Sequence, residues 1–173
     1  MLIVSRMGLF TRKFTIVVAC RANITRSAYL HGYMQHYLNA HLPHARRRVR
    51  ILSAGVQARS GSSADQVVKH VARRHGFSLS DHRSDPFTRK TVSKADVILV
   101  MEQWQKAALI KRFPEAEEKT FRLTEYLRDD DPSEIRDIHD PTGQDAADYE
   151  EFIEAAHSEV DRIFRELGRA GIV

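Results

Sequence analysis

The chain has a single cysteine, Cys20, among its 173 residues. That scarcity excludes an internal disulfide framework and any metal site built from several thiolates. It also fits a reducing compartment, in which a reactive thiol survives. Long apolar runs are missing as well, and no stretch approaches the ~20 residues needed to cross a bilayer. The opening Met1-Leu2-Ile3-Val4-Ser5-Arg6-Met7 has too short an apolar core for a secretory signal and lacks a small-residue cleavage pattern. It reads as part of an extension over residues 1–13, with Met7 as an alternative start, and the expected location is cytoplasmic. Repeats, low-complexity tracts and linkers are absent, so residues 14–173 are expected to form one domain with a sizeable core. The charge excess is small, +4, and much of the basic character is local, in Arg46-Arg47-Arg48-Val49-Arg50. No nucleic-acid motif or interleaved aromatics accompany that run. It reads as a solvated helix-to-strand connection, able at most to help steer anionic substrates.

What the chain does have is a distinctive setting for its one thiol. Cys20 opens the segment Cys20-Arg21-Ala22-Asn23-Ile24-Thr25-Arg26-Ser27, with five residues between the cysteine and Arg26. Five residues let a chain curl around one tetrahedral oxyanion so that successive N–H groups point inward. A helix beginning there adds its positive end, and Arg26 can grip two oxygens in a bidentate fork. Such positive surroundings favour the thiolate, which is the nucleophilic form. Cys-x5-Arg followed by a hydroxyl residue arises by composition alone in about one such chain in seventy-five, so the context has to support it. It does. Phe14-Thr15-Ile16-Val17-Val18-Ala19 has the β-branched and aromatic content of a buried strand. Beyond Ser27, which stands where an N-cap would stand, Leu30, Tyr33, Met34, Tyr37, Leu38 and His41 recur at helical spacing.

Strand and helix signals alternate over the rest of the chain. Val49 to Gly55 reads as a second strand. Ala64, Val67, Val68 and Val71 carry a second helix that ends by Gly76. A polar stretch from Ser78 to Lys94 reads as a long loop with room for a short helix. Ala95 to Met101 is a third strand buried on both faces, Glu102 to Phe113 a third helix stopped near Pro114, and Lys119 to Leu123 a short fourth strand. After a polar segment from Asp129 to Asp145, a last helix presents Ile153, Ala156, Val160, Ile163, Phe164 and Leu167. The pattern predicts a three-layer α/β fold of flavodoxin-like type, a four-stranded parallel twisted sheet with helices on both faces. Ligands of such sheets bind beyond the carboxyl ends of the strands, which is where Cys20 falls.

Attack by Cys20 on a phosphate ester also calls for an acid to protonate the leaving oxygen. Composition does not choose among the 23 acidic residues. Asp140-Pro141-Thr142-Gly143 would present a carboxylate rigidly before the last helix, because proline restricts both itself and the residue before it. Asp85-Pro86 and Asp131-Pro132 carry the same dipeptide, so the residues alone leave the acid open. A metal centre finds no support. His31, His36 and His41 are spaced by five and scatter around a helix, and His41 with His44 has no carboxylate in a zinc-type pattern.

These features together resemble the low-molecular-weight protein tyrosine phosphatases, whose loop reads C-x-G-N-x-C-R-S near the N-terminus. Cys20, Asn23, Arg26 and Ser27 stand in the matching places. Ser53-Ala54-Gly55, Gly76, His82-Arg83, the run Ala95 to Met101 and the terminal DPTGQDAADY extend the match over most of the chain. The resemblance implies a phosphocysteine intermediate on Cys20, with Arg26 on the phosphate oxygens and Asp140 as general acid and then base. Ser27 would donate to the Cys20 sulfur. Asn23, supported by Ser53 and His82, would hold the loop, whose N–H groups from Arg21, Ala22, Asn23, Ile24, Thr25 and Arg26 complete the cradle for a phosphate or sulfate ion. It implies no metal and no organic cofactor. The partner would be a phosphotyrosine-containing protein, a tyrosine kinase among the candidates. Three departures stand out: Ala22 for the usual glycine, Thr25 for a second loop cysteine, and Thr142 for an aromatic residue. Family members that act on phosphoarginine have a threonine where this chain has Ile24, so an aromatic ester is the expectation and phosphoarginine the alternative. Related arsenate reductases need further cysteines. A non-catalytic phosphopeptide-binding domain would be expected to lose Cys20 or Asp140, and both are present.

Overall fold

The computed structural model describes residues 12–128 and 132–173. Residues 1–11, most of the expected extension, lie outside them. Four strands form one parallel sheet in the order β2-β1-β3-β4: β1 is Phe14–Cys20, β2 Val49–Gly55, β3 Val97–Val100 and β4 Thr120–Arg122. Around it lie α1 (Arg26–His41), α2 (Gln66–Arg74), α3 (Arg89–Lys94), α4 (Gln103–Arg112) and α5 (Ala146–Arg169). This is the predicted fold.

Side chains alternate across a strand, so a strand covered on both faces must be apolar throughout. β1 meets that demand and divides its residues between two cores. Ile16, Val18 and Cys20 pack with Leu30, Met34, Val160 and Phe164 on the side of α1 and α5. Val17 and Ala19 pack with Phe87, Val92, Leu109 and Phe113 on the other side. Val17 pairs with Leu52 of β2 and Ile98 of β3, so β1 is central. The chain leaves β1 for one neighbour and later returns to its other side. The crevice at the carboxyl ends of β1 and β3 is therefore the switch point at which such sheets bind ligands.

Several boundaries differ from the sequence reading. α1 starts at Arg26 with Thr25 as its N-cap, so Ser27 lies inside the first turn and is not the cap. α2 starts at Gln66, because Asp65 accepts from the N–H groups of Val67 and Val68 at 2.9 and 3.3 Å. In the stripe read for α1, Leu30, Met34 and Leu38 are buried, whereas Tyr33 and Tyr37 are half-buried and His41 is exposed. Tyr29, outside that stripe, is fully buried against Phe77 and Phe152. Here α5 and the 77–79 segment cover a wider arc of α1 than one stripe. Within the polar stretch 78–94, α3 is the expected short helix, and Phe87 anchors the stretch in the second core.

Candidate active site

The loop leaving β1 turns because Asn23 adopts the left-handed conformation, with φ of 57°. Asparagine tolerates that region better than most residues with a Cβ. Ala22 has no positive φ, so the missing glycine costs no backbone strain there. Asn23 is completely buried and holds the turn with both ends of its side-chain amide and with its carbonyl. Its Nδ2 donates to Ser27 Oγ at 2.8 Å, its Oδ1 accepts from the N–H of Asp85 at 3.0 Å, and its carbonyl accepts from His82 Nε2 at 2.7 Å. His82 thus contacts the loop through the Asn23 carbonyl. Ser53 sits on β2 opposite Val18, and among the described residues no hydrogen bond joins its side chain to Asn23. The segment carrying His82 and Asp85 provides the support instead. On the other side, the N–H groups of Val56 and Gln57 bond the carbonyls of Cys20 and Arg21, both at 2.9 Å. Gly55 allows that approach, since a Cβ there would lie 2.9 Å from Ala22 C and from Arg21 O.

Ser27 Oγ lies 3.0 Å from Cys20 Sγ. Asn23 Nδ2 can only donate, so the serine oxygen accepts there and its hydrogen is free to point at the sulfur. The N–H groups of Ala22 to Thr25 are engaged by no carbonyl or side chain among the described residues. α1 likewise has no side-chain cap and no acidic residue in its first turn. An uncapped N-terminus behind a curled loop is a site for an anion.

Arg26 is 1% exposed and gathers the rest of the site. Its Nη2 donates to Asp140 Oδ2 at 2.8 Å, and its Nη1 donates to the Ile138 carbonyl at 2.7 Å and to Glu102 Oε1. Its Nε is buried with no partner among the described residues, a donor suited to one more acceptor, as a phosphate oxygen would be. Glu102 went unnoticed in the sequence, where it only began a helix. It is the N-cap residue of α4, just past β3, and also accepts from Trp104 Nε1 and Gln105 Nε2 at 2.9 and 3.0 Å. The available signal was an acidic residue directly after a buried parallel strand, where ligand sites form. Asp140 Oδ1 accepts from Thr142 Oγ1 at 2.7 Å, and Thr142 Oγ1 also meets Thr25 Oγ1 at 2.8 Å. The structure therefore brings together Cys20, Asn23, Arg26, Ser27, His82 and Asp140, and leaves out Ser53. Among the described residues, no group of three or more His, Cys, Asp or Glu side chains could hold a metal ion.

Comparison with known proteins gives the same picture. The chain is 37% identical over 147 residues, 85% of its length and 91% of the relative's, to a probable low molecular weight protein-tyrosine-phosphatase, EpsP, of Ralstonia nicotianae. It superimposes with a TM-score of 0.79 on the YwlE arginine phosphatase of Geobacillus stearothermophilus, with 29% identity, covering 91% of this chain and 94% of that one. A TM-score of 0.75 relates it to the tyrosine phosphatase Wzb of Escherichia coli K30 in complex with sulphate, with 26% identity and coverage of 88% and 97%. The sequence model described as low molecular weight phosphotyrosine protein phosphatase matches residues 15–171, and the chain belongs to that family of hydrolases.

Proposed function

We propose that the protein hydrolyses phosphotyrosine in protein substrates through a covalent intermediate on Cys20. The observation that carries this reading is the 2.8 Å contact between Arg26 of the loop and Asp140, 114 residues away, beside a Cys20 sulfur backed by Ser27. The phosphoryl group would sit in the loop on the N–H groups from Arg21 to Arg26, with the Arg26 guanidinium against its oxygens. Cys20 attacks as the thiolate. The P–S bond forms as the P–O bond to the phenol breaks, and Asp140 delivers its proton to the departing oxygen. Asp140, now a carboxylate, takes a proton from the water that hydrolyses the phosphocysteine. Cys20 leaves as a thiolate facing the Ser27 hydroxyl. Neither step calls for a metal or cofactor, and a free thiol nucleophile fits a cytoplasmic setting in which tyrosine-phosphorylated proteins, kinases included, are the partners.

A second reading, phosphoarginine hydrolysis, is favoured by the likeness to YwlE. The apolar, half-buried Ile24 in the loop favours an aromatic ring over a guanidinium. Assays with matched phosphotyrosine and phosphoarginine peptides decide between them, the tyrosine peptide being expected to turn over at least about tenfold faster in kcat/KM. Cys20→Ser should abolish turnover of an aryl phosphate, and undiminished turnover would sink the mechanism. Asp140→Ala should cost about 100-fold for a poor leaving group and far less for 4-nitrophenol, whose phenolate needs little protonation.

A further inference from the structure

Thr25 and Thr142, two of the positions at which this chain leaves the family pattern, are hydrogen-bonded to each other. Their hydroxyl oxygens lie 2.8 Å apart across a sequence separation of 117 residues. From Thr142 the chain of bonds continues: its hydroxyl donates to Asp140 Oδ1 at 2.7 Å, and its N–H reaches the same oxygen at 3.1 Å. A threonine hydroxyl has only one hydrogen. Thr142 gives its hydrogen to Asp140, so Thr25 must donate to Thr142, and the direction of the relay is fixed.

An Asp-x-Thr segment can make the Asp140–Thr142 bonds unaided, as a local Asx-turn. The conduct of Thr25 goes beyond that. It is the N-cap residue of α1, where a threonine hydroxyl usually bonds the second or third N–H of the helix. Here it makes no capping bond. It is 2% exposed and turns instead to the acid loop. One hydroxyl therefore leaves the anion-facing N–H groups of α1 free and ties the two halves of the site together.

We propose that Thr25 and Thr142 form a latch that holds the acid loop on the phosphate loop and selects the Asp140 oxygen that transfers the proton. The latch rests on the reading of Asp140 as general acid. Oδ1 accepts from both Thr142 donors and Oδ2 only from Arg26 Nη2, so the transferable proton belongs on Oδ2. That oxygen lies 2.8 Å from Arg26 Nη2, on the side of the phosphate loop. Thr142 is a positioning residue acting through Asp140, and Thr25 acts through Thr142.

Valine keeps the branched shape of threonine and removes the hydroxyl, so steady-state kinetics of Thr25→Val, Thr142→Val and the double variant test the latch. Two substrates are compared, phenyl phosphate and 4-nitrophenyl phosphate, through kcat/KM, which reports the steps up to phosphoryl transfer. Thr142→Val should lower kcat/KM about tenfold for phenyl phosphate and about twofold or less for 4-nitrophenyl phosphate, with unchanged inhibition by inorganic phosphate. Thr142→Ser should restore the rate. Thr25→Val should show the same leaving-group pattern and add little in the Thr142→Val background, because the bond it removes is already gone. Equal losses on the two substrates, full additivity, or failure of serine to rescue would each overturn the latch. Wild-type protein without Cys20-dependent turnover would remove the phosphatase reading and the latch with it. Turnover that requires Cys20 and Asp140 but is indifferent to both threonines would remove the latch alone.

Discussion

At the scale of single residues, Asn23 bears the most demanding combination in the site, a left-handed backbone and three hydrogen bonds within a fully buried environment. The two contributions separate by substitution. Glycine accepts φ of 57° freely but lacks the amide, whereas alanine lacks the amide and also dislikes the conformation, by roughly 1–2 kcal/mol. Asn23→Gly should cost about 2–3 kcal/mol, since it removes the partner of the part-buried Asp85 N–H bond and frees Ser27 to turn from the sulfur. Asn23→Ala should cost about 1 kcal/mol more. Urea denaturation of the two variants checks the order, and a more stable alanine variant would refute the backbone part. Much of this was legible in sequence because Cys20 to Ser27 is one continuous loop whose spacing alone suggests an anion cradle. Glu102 was not. Its partner Arg26 is 76 residues away, and only the parallel sheet, which puts the ends of β1 and β3 side by side, makes them neighbours. Ser53, a position that the family resemblance alone suggested, stands on β2 opposite Val18, and among the described residues no hydrogen bond joins its side chain to Asn23.

At the scale of elements, α1 is organised by what its first turn leaves undone. Its N-terminal N–H groups face the loop without a cap, while its body is locked between the sheet and α5. The sequence located the strand and the helix on either side of the loop but misassigned Ser27 as the cap. A serine just before an apolar stripe usually is one, and here its hydroxyl is engaged by Cys20 and Asn23. Further along α1, burial lowers the pKa of His31 to about 4, and the neighbouring His82 pushes it the same way. A histidine that stays neutral in the fold binds its proton in the unfolded chain from about pH 6.5 downward. Stability contributed by neutral His31 is therefore full above about pH 6.5 and is lost as the pH falls toward 4, by on the order of 2 kcal/mol. His157, lowered by burial and by His75, acts in the same direction. Urea midpoints measured between pH 7 and pH 4 should fall steeply for the wild type and less for His31→Gln, and equal slopes would dissociate His31 from the acid sensitivity.

At the scale of the whole molecule, the fold was readable because a parallel sheet covered on both faces leaves nearly continuous apolar runs, and β1 and β3 are such runs. The acid loop was harder, since nothing local distinguishes Asp140 from the aspartates of the other two Asp-Pro pairs. Only closure of the chain, with α5 packed back on the first core, delivers it to Arg26. The same global view gives the single cysteine its consequence. Peroxide should convert Cys20 to a sulfenic acid, and no second thiol in the chain can trap it as an internal disulfide. Oxidation should then run on to the irreversible sulfinic acid unless an external thiol intervenes. Intact-mass measurements after stoichiometric peroxide should show addition of oxygen, and activity should return with dithiothreitol only at early times. Glutathione present from the start should give a mixed disulfide and preserve recoverable activity. Inorganic phosphate, occupying the loop in front of the sulfur, should slow inactivation. Inactivation that phosphate leaves untouched would place the sensitive group elsewhere than Cys20, and full recovery after prolonged excess peroxide would show that the thiol is shielded in a way the chain's own residues do not provide.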